Sequence, residues 1–520
     1  MTSRLFRPAR GELLATLFSA LLFFFAFPPF RLVGPVFVCL VPFAVVVSRA
    51  ADRGNDSWSG VRLGMWFGIF AYGASIYWIA TALLIFTKLA ILGYLGALFV
   101  ITVLAAATGG ALYAARRSTG WPMAVLLPVV WVASEVAMNH LSDLAFPWLP
   151  LGLAVTHTPA LAQIADISGV HGVSFWIALT NGLVVDMWLS RTARRANLYR
   201  GGAIAALVCV VAGYGEWRLH TVTLRPLGSV GIVQPNIAEN QKWDSTSIAR
   251  IIDVLAAGTH QAEAQGHPQL VIWPETALND YLPAHPAWSD SLRALTMGSG
   301  VPLLTGMIDV VWHSRTLYDE FNAAMLVGAD GRVSQPIYHK RHLVPFVERV
   351  PFLSPDWFGW AGPYLTGSFG VGRGPVVYRV PFGQFGVLIC YESIFPGESR
   401  QYRNDGADFL INITNDAWFG HTNAPYQHYS HLVLRAIENR VAIVRSANTG
   451  ISGWIDPLGR IRAATPIFQP AAATYALETS DVRTLYDAWG DFVGLLSVAA
   501  TLALVGSVWW TYRTERKRLA

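Results

Sequence analysis

Long apolar runs dominate the first 221 positions of the chain, and polar residues interrupt them only briefly. An α-helix crosses the hydrocarbon core of a bilayer with about 20 apolar residues. The runs predict eight transmembrane helices, near residues 11–29, 33–49, 62–85, 89–115, 121–140, 165–189, 201–221 and 489–511. We expect the first run to be retained, because Phe23 to Pro29 offers no small-residue cleavage site.

Basic residues gather beside alternate ends of these runs. The clusters are Arg4, Arg7 and Arg10; Arg49, Arg53 and Arg62; Arg116 and Arg117; Arg191, Arg194, Arg195 and Arg200; and Arg513, Arg516, Lys517 and Arg518. When the spans are counted alternately, every cluster falls on the same side, which the positive-inside rule assigns to the cytoplasm. We therefore expect both termini in the cytoplasm and residues 222–488 on the opposite face.

Residues 222–488 have a different pattern, in which short β-rich runs alternate with polar helical stretches, and this predicts an α/β domain. The predicted strands are Ser229–Val233, Leu270–Trp273, Pro302–Met307, Ala323–Leu326, Phe385–Ile389, Phe409–Ile413, Ala442–Ser446 and Gly450–Ile455. Helices are predicted at Asp244–Ala264 and Tyr426–Arg440, and a functional lid or membrane-facing arm at His339–Gly374. The predicted domains are helices in 1–221, a catalytic domain in 222–488, and a last helix with a basic tail in 489–520.

Composition agrees with a chain that lies largely in lipid. Hydrophobic residues make up 53% of the sequence and charged residues only 14%, which is unusual for a soluble protein. The net charge of +5 arises from the clusters beside apolar runs, so we expect no nucleic-acid binding. The three cysteines are too far apart for a zinc site, and the spacing of His421, His428 and His431 matches no known metal site. We expect no metal and no cofactor.

Cys390 follows the apolar run Gly386–Ile389. A thiol at the end of a strand is presented at the edge of a sheet, as nucleophiles in α/β folds commonly are. A lone cysteine at such a position is more often a core residue. Two other residues favour chemistry: Glu275, just past a buried strand, suits a general base, and Lys340 would favour the thiolate and stabilise an oxyanion.

Glu275, Lys340 and Cys390, in this order, resemble the Glu-Lys-Cys triad of the carbon-nitrogen hydrolase (nitrilase) superfamily. With apolar runs on both sides, the resemblance narrows to the bacterial apolipoprotein N-acyltransferases and covers essentially the whole chain. Further matching segments are Gln234–Asn236, Lys242 with Trp243, Leu343–Phe346 with Glu348, Cys390–Glu392, Asn415–Gly420 and Arg445–Gly450. Val347 departs from the pattern, because that family often has glycine there.

The resemblance implies an αββα sandwich for the catalytic domain and a ping-pong acyl transfer. Glu275 would take the proton from Cys390, whose thiolate attacks a phospholipid ester, and Lys340 would hold the oxyanion. The acceptor would be the α-amine of the N-terminal S-diacylglyceryl cysteine of an apolipoprotein. The supporting residues would be Glu348, Tyr391 and Glu392, and the substrate-binding residues Trp243, Phe346 and Trp418. The resemblance also implies a monomer in the bacterial inner membrane with a periplasmic catalytic domain.

Two alternatives remain open at this level. The first is a membrane-bound amidase that gives the thioester to water, since the triad serves both reactions. The second is a non-catalytic lipid-binding or transport protein. Transporters usually show repeated halves and interrupted helices at mid-membrane, and neither is evident in the sequence.

Overall fold

The computed structural model describes residues 8–84, 90–242, 248–315, 317–352 and 369–519. Part of the predicted lid, residues 353–368, lies outside this described part of the chain. The chain forms two compact units. Unit 1 comprises residues 1–80, 88–219 and 489–520, and unit 2 comprises residues 81–87 and 220–488.

The α-helices are numbered along the chain. They are α1 Arg10–Ala26, α2 Val41–Asp52, α3 Ser59–Phe67, α4 Gly73–Ser75, α5 Trp78–Leu84, α6 Ala90–Thr119, α7 Met123–Asn139, α8 Pro159–Ala162, α9 Ala165–Leu189, α10 Arg194–Thr221, α11 Glu239–Lys242, α12 Ile248–Gly266, α13 Pro286–Ser299, α14 Pro396–Asn404, α15 Ala424–Asn439, α16 Leu485–Trp489 and α17 Phe492–Leu519.

Unit 1 is helical. Among the described residues, five helical stretches are long and apolar enough to cross a membrane: Gly34–Asp52, Ile91–Thr119, Ala165–Leu189, Arg194–Thr221 and Phe492–Trp510. A sixth is added if the bent pair Ser59–Ser75 and Trp78–Leu84 counts as one span. The predicted number of eight is not confirmed, because α1 and α7, at 17 residues each, are shorter than these helices.

Small residues allow α3 and α6 to pack closely. A Cβ on Gly64 of α3 would lie 3.0 Å from the Cα of Ala106 and still closer to the carbonyl oxygen of Ala105. A Cβ on Gly109 of α6 would lie 2.9 Å from the Cα of Gly64. Apolar helices gain little from the hydrophobic effect in lipid, so close backbone approach of this kind is a main source of their association.

Unit 2 contains two β-sheets. Its strands are β1 Arg225–Gln234, β2 Leu270–Ile272, β3 Leu278–Tyr281, β4 Leu303–Trp312, β5 Tyr318–Val327, β6 Tyr338–His339, β7 Val377–Val380, β8 Gly383–Ile389, β9 Phe409–Thr414, β10 Ala442–Ala447, β11 Gly453–Ile455, β12 Ile461–Ala464 and β13 Ala471–Thr479. One sheet has the order β13-β1-β2-β4-β5-β6, with β3 beside β4, and the other has the order β12-β11-β10-β9-β8-β7.

The two sheets face each other, with helices on their outer sides. The hydroxyl of Ser446 on β10 donates to the carbonyl oxygens of Val233 and Ile272, 3.0 and 3.2 Å away on the other sheet. Helix α12 packs against β1 and β13, and helices α14 and α15 pack against β8 and β10. The layers therefore follow the predicted α-β-β-α order. In each sheet the central strands are parallel, so their carboxyl ends lie at one edge.

All eight predicted strands occur in the structure, most of them with longer bounds. The strands β3, β6, β7, β12 and β13 were not predicted. Four of these strands, β3, β6, β7 and β12, have at most four residues. Strand β13 is longer, but it is rich in alanine and only partly buried. None of the five shows the apolar run that marks a central strand. Helices α13 and α14 were also not predicted.

Candidate active site

Cys390 lies at a sharp turn directly after β8. The strand ends at Ile389, and Cys390 begins a 3-10 helix, Cys390–Ile394. Its φ of 51° lies in the left-handed region, which costs a residue with a side chain about 1–3 kcal/mol. Backbone strain of this kind is common where a nucleophile is held at a strand-to-helix turn. The position matches the one predicted from the sequence.

Glu275 lies in the turn after β2 and is held by backbone and side-chain groups. Its carboxylate accepts a hydrogen bond of 2.8 Å from the N–H of Asn415 and another of 2.8 Å from Nδ2 of Asn322. Gly306 on β4 lies against the same turn. A Cβ on Gly306 would lie 2.7 Å from the Cα of Glu275 and 2.5 Å from the N of Thr276, so only glycine fits there.

Lys340 lies between two carboxylates. Its Nζ is 2.8 Å from Oε1 of Glu348 and 3.3 Å from Oε1 of Glu275. Asn322 donates its Nδ2 to the same two oxygens, over 2.8 Å each. All four side chains are buried, so each charge is stabilised chiefly by its neighbours in the cluster. The structure thus brings together three predicted site residues and adds Asn322.

The charged groups of this cluster shift the pKa of the Cys390 thiol. Burial raises the pKa of the Cys390 thiol, the Glu275 carboxylate raises it further, and the Lys340 ammonium lowers it. Burial outweighs the cation, so the pKa of Cys390 lies above its ordinary value, which favours the protonated thiol before attack. Burial also lowers the pKa of Lys340, but Glu348 and Glu275 raise it above its ordinary value, so Lys340 stays charged. This arrangement suits proton transfer from the thiol to a base during attack.

Glu392 connects the turn at Cys390 to the segment that follows β6. Its Oε2 accepts a hydrogen bond of 2.7 Å from the N–H of Ile389. Its Oε1 accepts hydrogen bonds of 2.7 Å from the hydroxyl of Tyr338 and 2.6 Å from the N–H of Arg341. Burial raises the pKa of Glu392, and these donors lower it. Glu392 therefore links the turn at Cys390 to the segment after β6, and its supporting role remains a prediction.

Tyr391 and Lys242 are further buried groups beside the site. Burial raises the pKa of Tyr391, the Lys340 ammonium lowers it, and Cys390 raises it. Lys242 donates a hydrogen bond of 2.9 Å from Nζ to the backbone oxygen of Glu275. Burial lowers the pKa of Lys242, while the nearby carboxylates raise it.

Sequence reasoning assigned no role to Asn322 or Lys242. Asn322 has a weak signal, because it is the only amide in the apolar run Phe321–Leu326. A lone polar residue in a buried strand requires a partner, and here the partners are two carboxylates. Lys242 belongs to a segment that resembles the family, but its polar surroundings do not indicate that it contacts Glu275.

Two of the three predicted substrate-binding residues lie in the described part of the chain. Phe346 is 50% exposed, in the loop that carries Glu348, and has a φ of 63°. Trp418 is partly buried in the 3-10 helix Asp416–Phe419. Trp243 lies outside the described residues. The substrate-binding role of all three remains a prediction.

Comparisons with known proteins find a matching family model for each of two regions of the chain. Residues 229–486 match the family model described as carbon-nitrogen hydrolase, and residues 19–183 match that of the apolipoprotein N-acyltransferase N-terminal domain. The apolipoprotein N-acyltransferase of Geobacter metallireducens is 33% identical over 498 residues, which cover 95% of this chain and 94% of the relative. That of Methylococcus capsulatus is 30% identical over 497 residues, which cover 92% and 93%.

The chain belongs to the apolipoprotein N-acyltransferase family. Its members named above extend over nearly the same length, so the match includes both the helical and the nitrilase-like regions. The chain is therefore an acyltransferase and not a transport protein. Among solved structures, an amidase from Nesterenkonia sp. is similar with a TM-score of 0.37 and 19% identity, covering 51% of this chain and 95% of the amidase.

Proposed function

We propose that this apolipoprotein N-acyltransferase family member moves an acyl chain from a membrane phospholipid to the α-amine of the N-terminal S-diacylglyceryl cysteine of an apolipoprotein, through a thioester on Cys390. The observation that carries the proposal is the buried cluster in which Lys340 contacts Glu275 and Glu348 and acts with Glu275 on the pKa of Cys390. These residues supply a nucleophile, a base and a cation at one place.

In the first half-reaction, Glu275 takes the proton from the Cys390 thiol as the sulfur attacks the ester carbonyl carbon of the phospholipid. Lys340 stabilises the negative charge that develops on the carbonyl oxygen. When the ester C–O bond breaks, Glu275 gives its proton to the leaving oxygen. The products are a lysophospholipid and an acyl thioester on Cys390.

In the second half-reaction, the acceptor amine attacks the thioester carbonyl and loses a proton to Glu275. The C–S bond then breaks, and the proton returns to the sulfur of Cys390. An amide is left on the lipoprotein. Phe346 and Trp418 would contact the acyl chain or the acceptor lipid and help to exclude water, which would otherwise hydrolyse the thioester.

We further propose that the apolar helices of residues 1–221 and 489–520 lie in the bacterial inner membrane, with residues 222–488 in the periplasm and both termini in the cytoplasm. The basic clusters support this orientation. Both substrates are anchored in lipid, so a monomer that holds its catalytic domain at the bilayer meets them in restricted orientations. The periplasmic placement of residues 222–488 can be tested by labelling Ser314→Cys in intact spheroplasts with a thiol reagent that does not cross the membrane. Labelling before lysis would support this placement, and labelling only after lysis would contradict it.

The test of function supplies purified protein with a phospholipid and a synthetic diacylated N-terminal cysteine peptide. We expect the peptide to gain one acyl chain on its α-amine, and Cys390→Ala to abolish the gain. The matched control Cys209→Ala replaces a cysteine of unit 1 and should keep activity. Free fatty acid in place of the acylated peptide would indicate a hydrolase, and no acyl release at all would contradict the proposal.

A further inference from the structure

A fully buried group of polar side chains contacts the backbone of Cys390. Nε2 of His428, on α15, lies 3.0 Å from the carbonyl oxygen of Cys390. The hydroxyl of Ser393 donates to the same oxygen over 2.9 Å and lies 2.9 Å from Nε2 of His428. The backbone of the nucleophile is therefore held by a side chain 38 residues away in sequence.

His428 is held in turn by two charged residues. Its Nδ1 lies 3.1 Å from Oδ1 of Asp416 and 3.2 Å from Nη2 of Arg445. Arg445 also forms an ion pair with Asp416, and Asp416 accepts a hydrogen bond of 3.0 Å from the hydroxyl of Thr414. His428, Asp416 and Arg445 are at most 1% exposed. Arg445 reaches both partners through Nη2, while its buried Nε and Nη1 have no hydrogen-bond partner among the described residues. The contacts between these buried charged groups restrict the position of the His428 ring.

The protonation of these groups follows from their contacts. A carbonyl oxygen only accepts, so Nε2 of His428 must carry a proton when it bonds to Cys390. Burial and the charge of Arg445 lower the pKa of His428, while the Asp416 carboxylate and the hydrogen bonds of the ring oppose them. Burial would raise the pKa of Asp416, but Arg445 and His428 bring it down to about 2. Asp416 is therefore ionised, and its negative charge faces both Arg445 and the Nδ1 side of the ring.

We propose that Asp416, His428 and Arg445 are positioning residues that fix the peptide group of Cys390, and with it the direction of the thiol, through the hydrogen bond from Nε2 of His428. Cys390 has a left-handed φ of 51°, and strained backbone of this kind persists only where surrounding contacts hold it. The inference rests on the proposed role of Cys390 as the nucleophile. His428 acts on the reaction only through this backbone contact.

Two substitutions of His428 distinguish the contribution of Nε2 from that of Nδ1. His428→Gln keeps an N–H donor close to the position of Nε2, whereas His428→Asn keeps one near Nδ1 and does not reach Cys390. The matched control is His431→Asn, which replaces a buried histidine of the same helix. Each protein is assayed for acyl-enzyme formation in a single turnover, for its apparent KM for phospholipid and for its melting temperature.

We expect His428→Asn to slow acyl-enzyme formation about 100-fold, with an unchanged KM and a melting temperature close to that of His431→Asn, because the nucleophile is misdirected. Acyl-enzyme formation in His428→Gln should be about tenfold faster than in His428→Asn, since the hydrogen bond to the Cys390 carbonyl is restored. Equal rates in the two His428 variants, or a loss that His431→Asn shares, would overturn the proposal.

Alkylation of Cys390 by iodoacetamide, followed on the proteolytic peptide that contains it, needs no acyl donor. The three variants should show the same order of alkylation rates as of acylation rates. If the wild type forms no acyl-enzyme, the proposed function fails, and the alkylation rates alone then decide whether His428 positions the thiol. Equal alkylation rates in wild type and His428→Asn would contradict the inference.

Discussion

The ammonium group of Lys340 lies 2.8 Å from Oε1 of Glu348, and the two side chains are only 1% and 10% exposed. Removing one partner of a buried ion pair leaves the other charge poorly compensated and costs about 3–5 kcal/mol. Glu348→Ala should therefore lower the melting temperature. It should also leave Lys340 to pair with Glu275 alone, so that one of the two contacts that position the ammonium group is lost.

We expect Glu348→Ala to slow acyl-enzyme formation about 100-fold, as loss of one preorganised electrostatic partner commonly does. Single-turnover intact mass spectrometry measures this rate. Glu320→Ala is the control, because Glu320 is an exposed carboxylate on β5, the strand that also contains Asn322. If the two variants react equally fast, Glu348 has no role beyond folding.

Gly306 sets the position of Glu275, because a Cβ there would meet three backbone atoms of the Glu275 turn within 2.7 Å. Gly306→Ala should force this turn away from β4 and destabilise unit 2 by about 1–3 kcal/mol. Acylation should fall about 100-fold, since small displacements of a catalytic group have large effects. Gly298→Ala is the control: it lies in α13 with no atom near its Cβ, and should be neutral or slightly stabilising. A wild-type acylation rate in Gly306→Ala would show that the position of Glu275 does not depend on Gly306.

The reactivity of Cys390 should depend on pH in a way that differs from free cysteine. Burial raises the pKa of the Cys390 thiol, so the thiolate fraction keeps growing with pH beyond the ordinary value of about 8.5. Alkylation of Cys390 by iodoacetamide, followed from pH 6 to 9.5, should rise without levelling off. In Lys340→Met the rate should be lower at every pH, because the cation that lowers this pKa is lost. A plateau below about pH 8 would show that a thiolate is already formed at rest.

Glu392 should be essential for the stability of the turn at Cys390. A glutamine at this position has one oxygen for the donors that two oxygens now accept, and its own N–H₂ group would face the N–H of Ile389 or of Arg341. An unsatisfied buried group costs about 1–3 kcal/mol. Thermal unfolding should show a larger loss for Glu392→Gln than for Tyr338→Phe, which removes only one donor. Equal losses would mean that the backbone contacts of Glu392 contribute little.

The central strands of unit 2 could be predicted because both of their faces are covered. Most residues of β8, β9 and β10 are apolar, and β9 and β10 are buried throughout, which is the pattern of a parallel strand between two layers. β13 lacks this pattern, since its residues are small and several are partly exposed. Its place beside β1 depends on tertiary pairing that the local sequence does not encode.

The triad could be predicted because its members follow strands or lie in segments that resemble a known family. Asn322 and His428 could not be assigned a role in the same way. Asn322 acts by lying between Glu275 and Glu348, and His428 acts through the backbone of Cys390. Both relationships join residues that are distant in sequence, and the polarity of each residue alone does not reveal its partner. The spacing of His428 was considered only for metal binding.

The most direct test of the account is the intact mass of the protein after incubation with a phospholipid and no acceptor. We predict an added mass of one acyl chain, located on the peptide that contains Cys390, removed by hydroxylamine as a thioester is, and absent from Cys390→Ala. Addition of the diacylated cysteine peptide should then transfer this chain to its α-amine. An unmodified Cys390 in a preparation that still acylates the peptide would contradict the account.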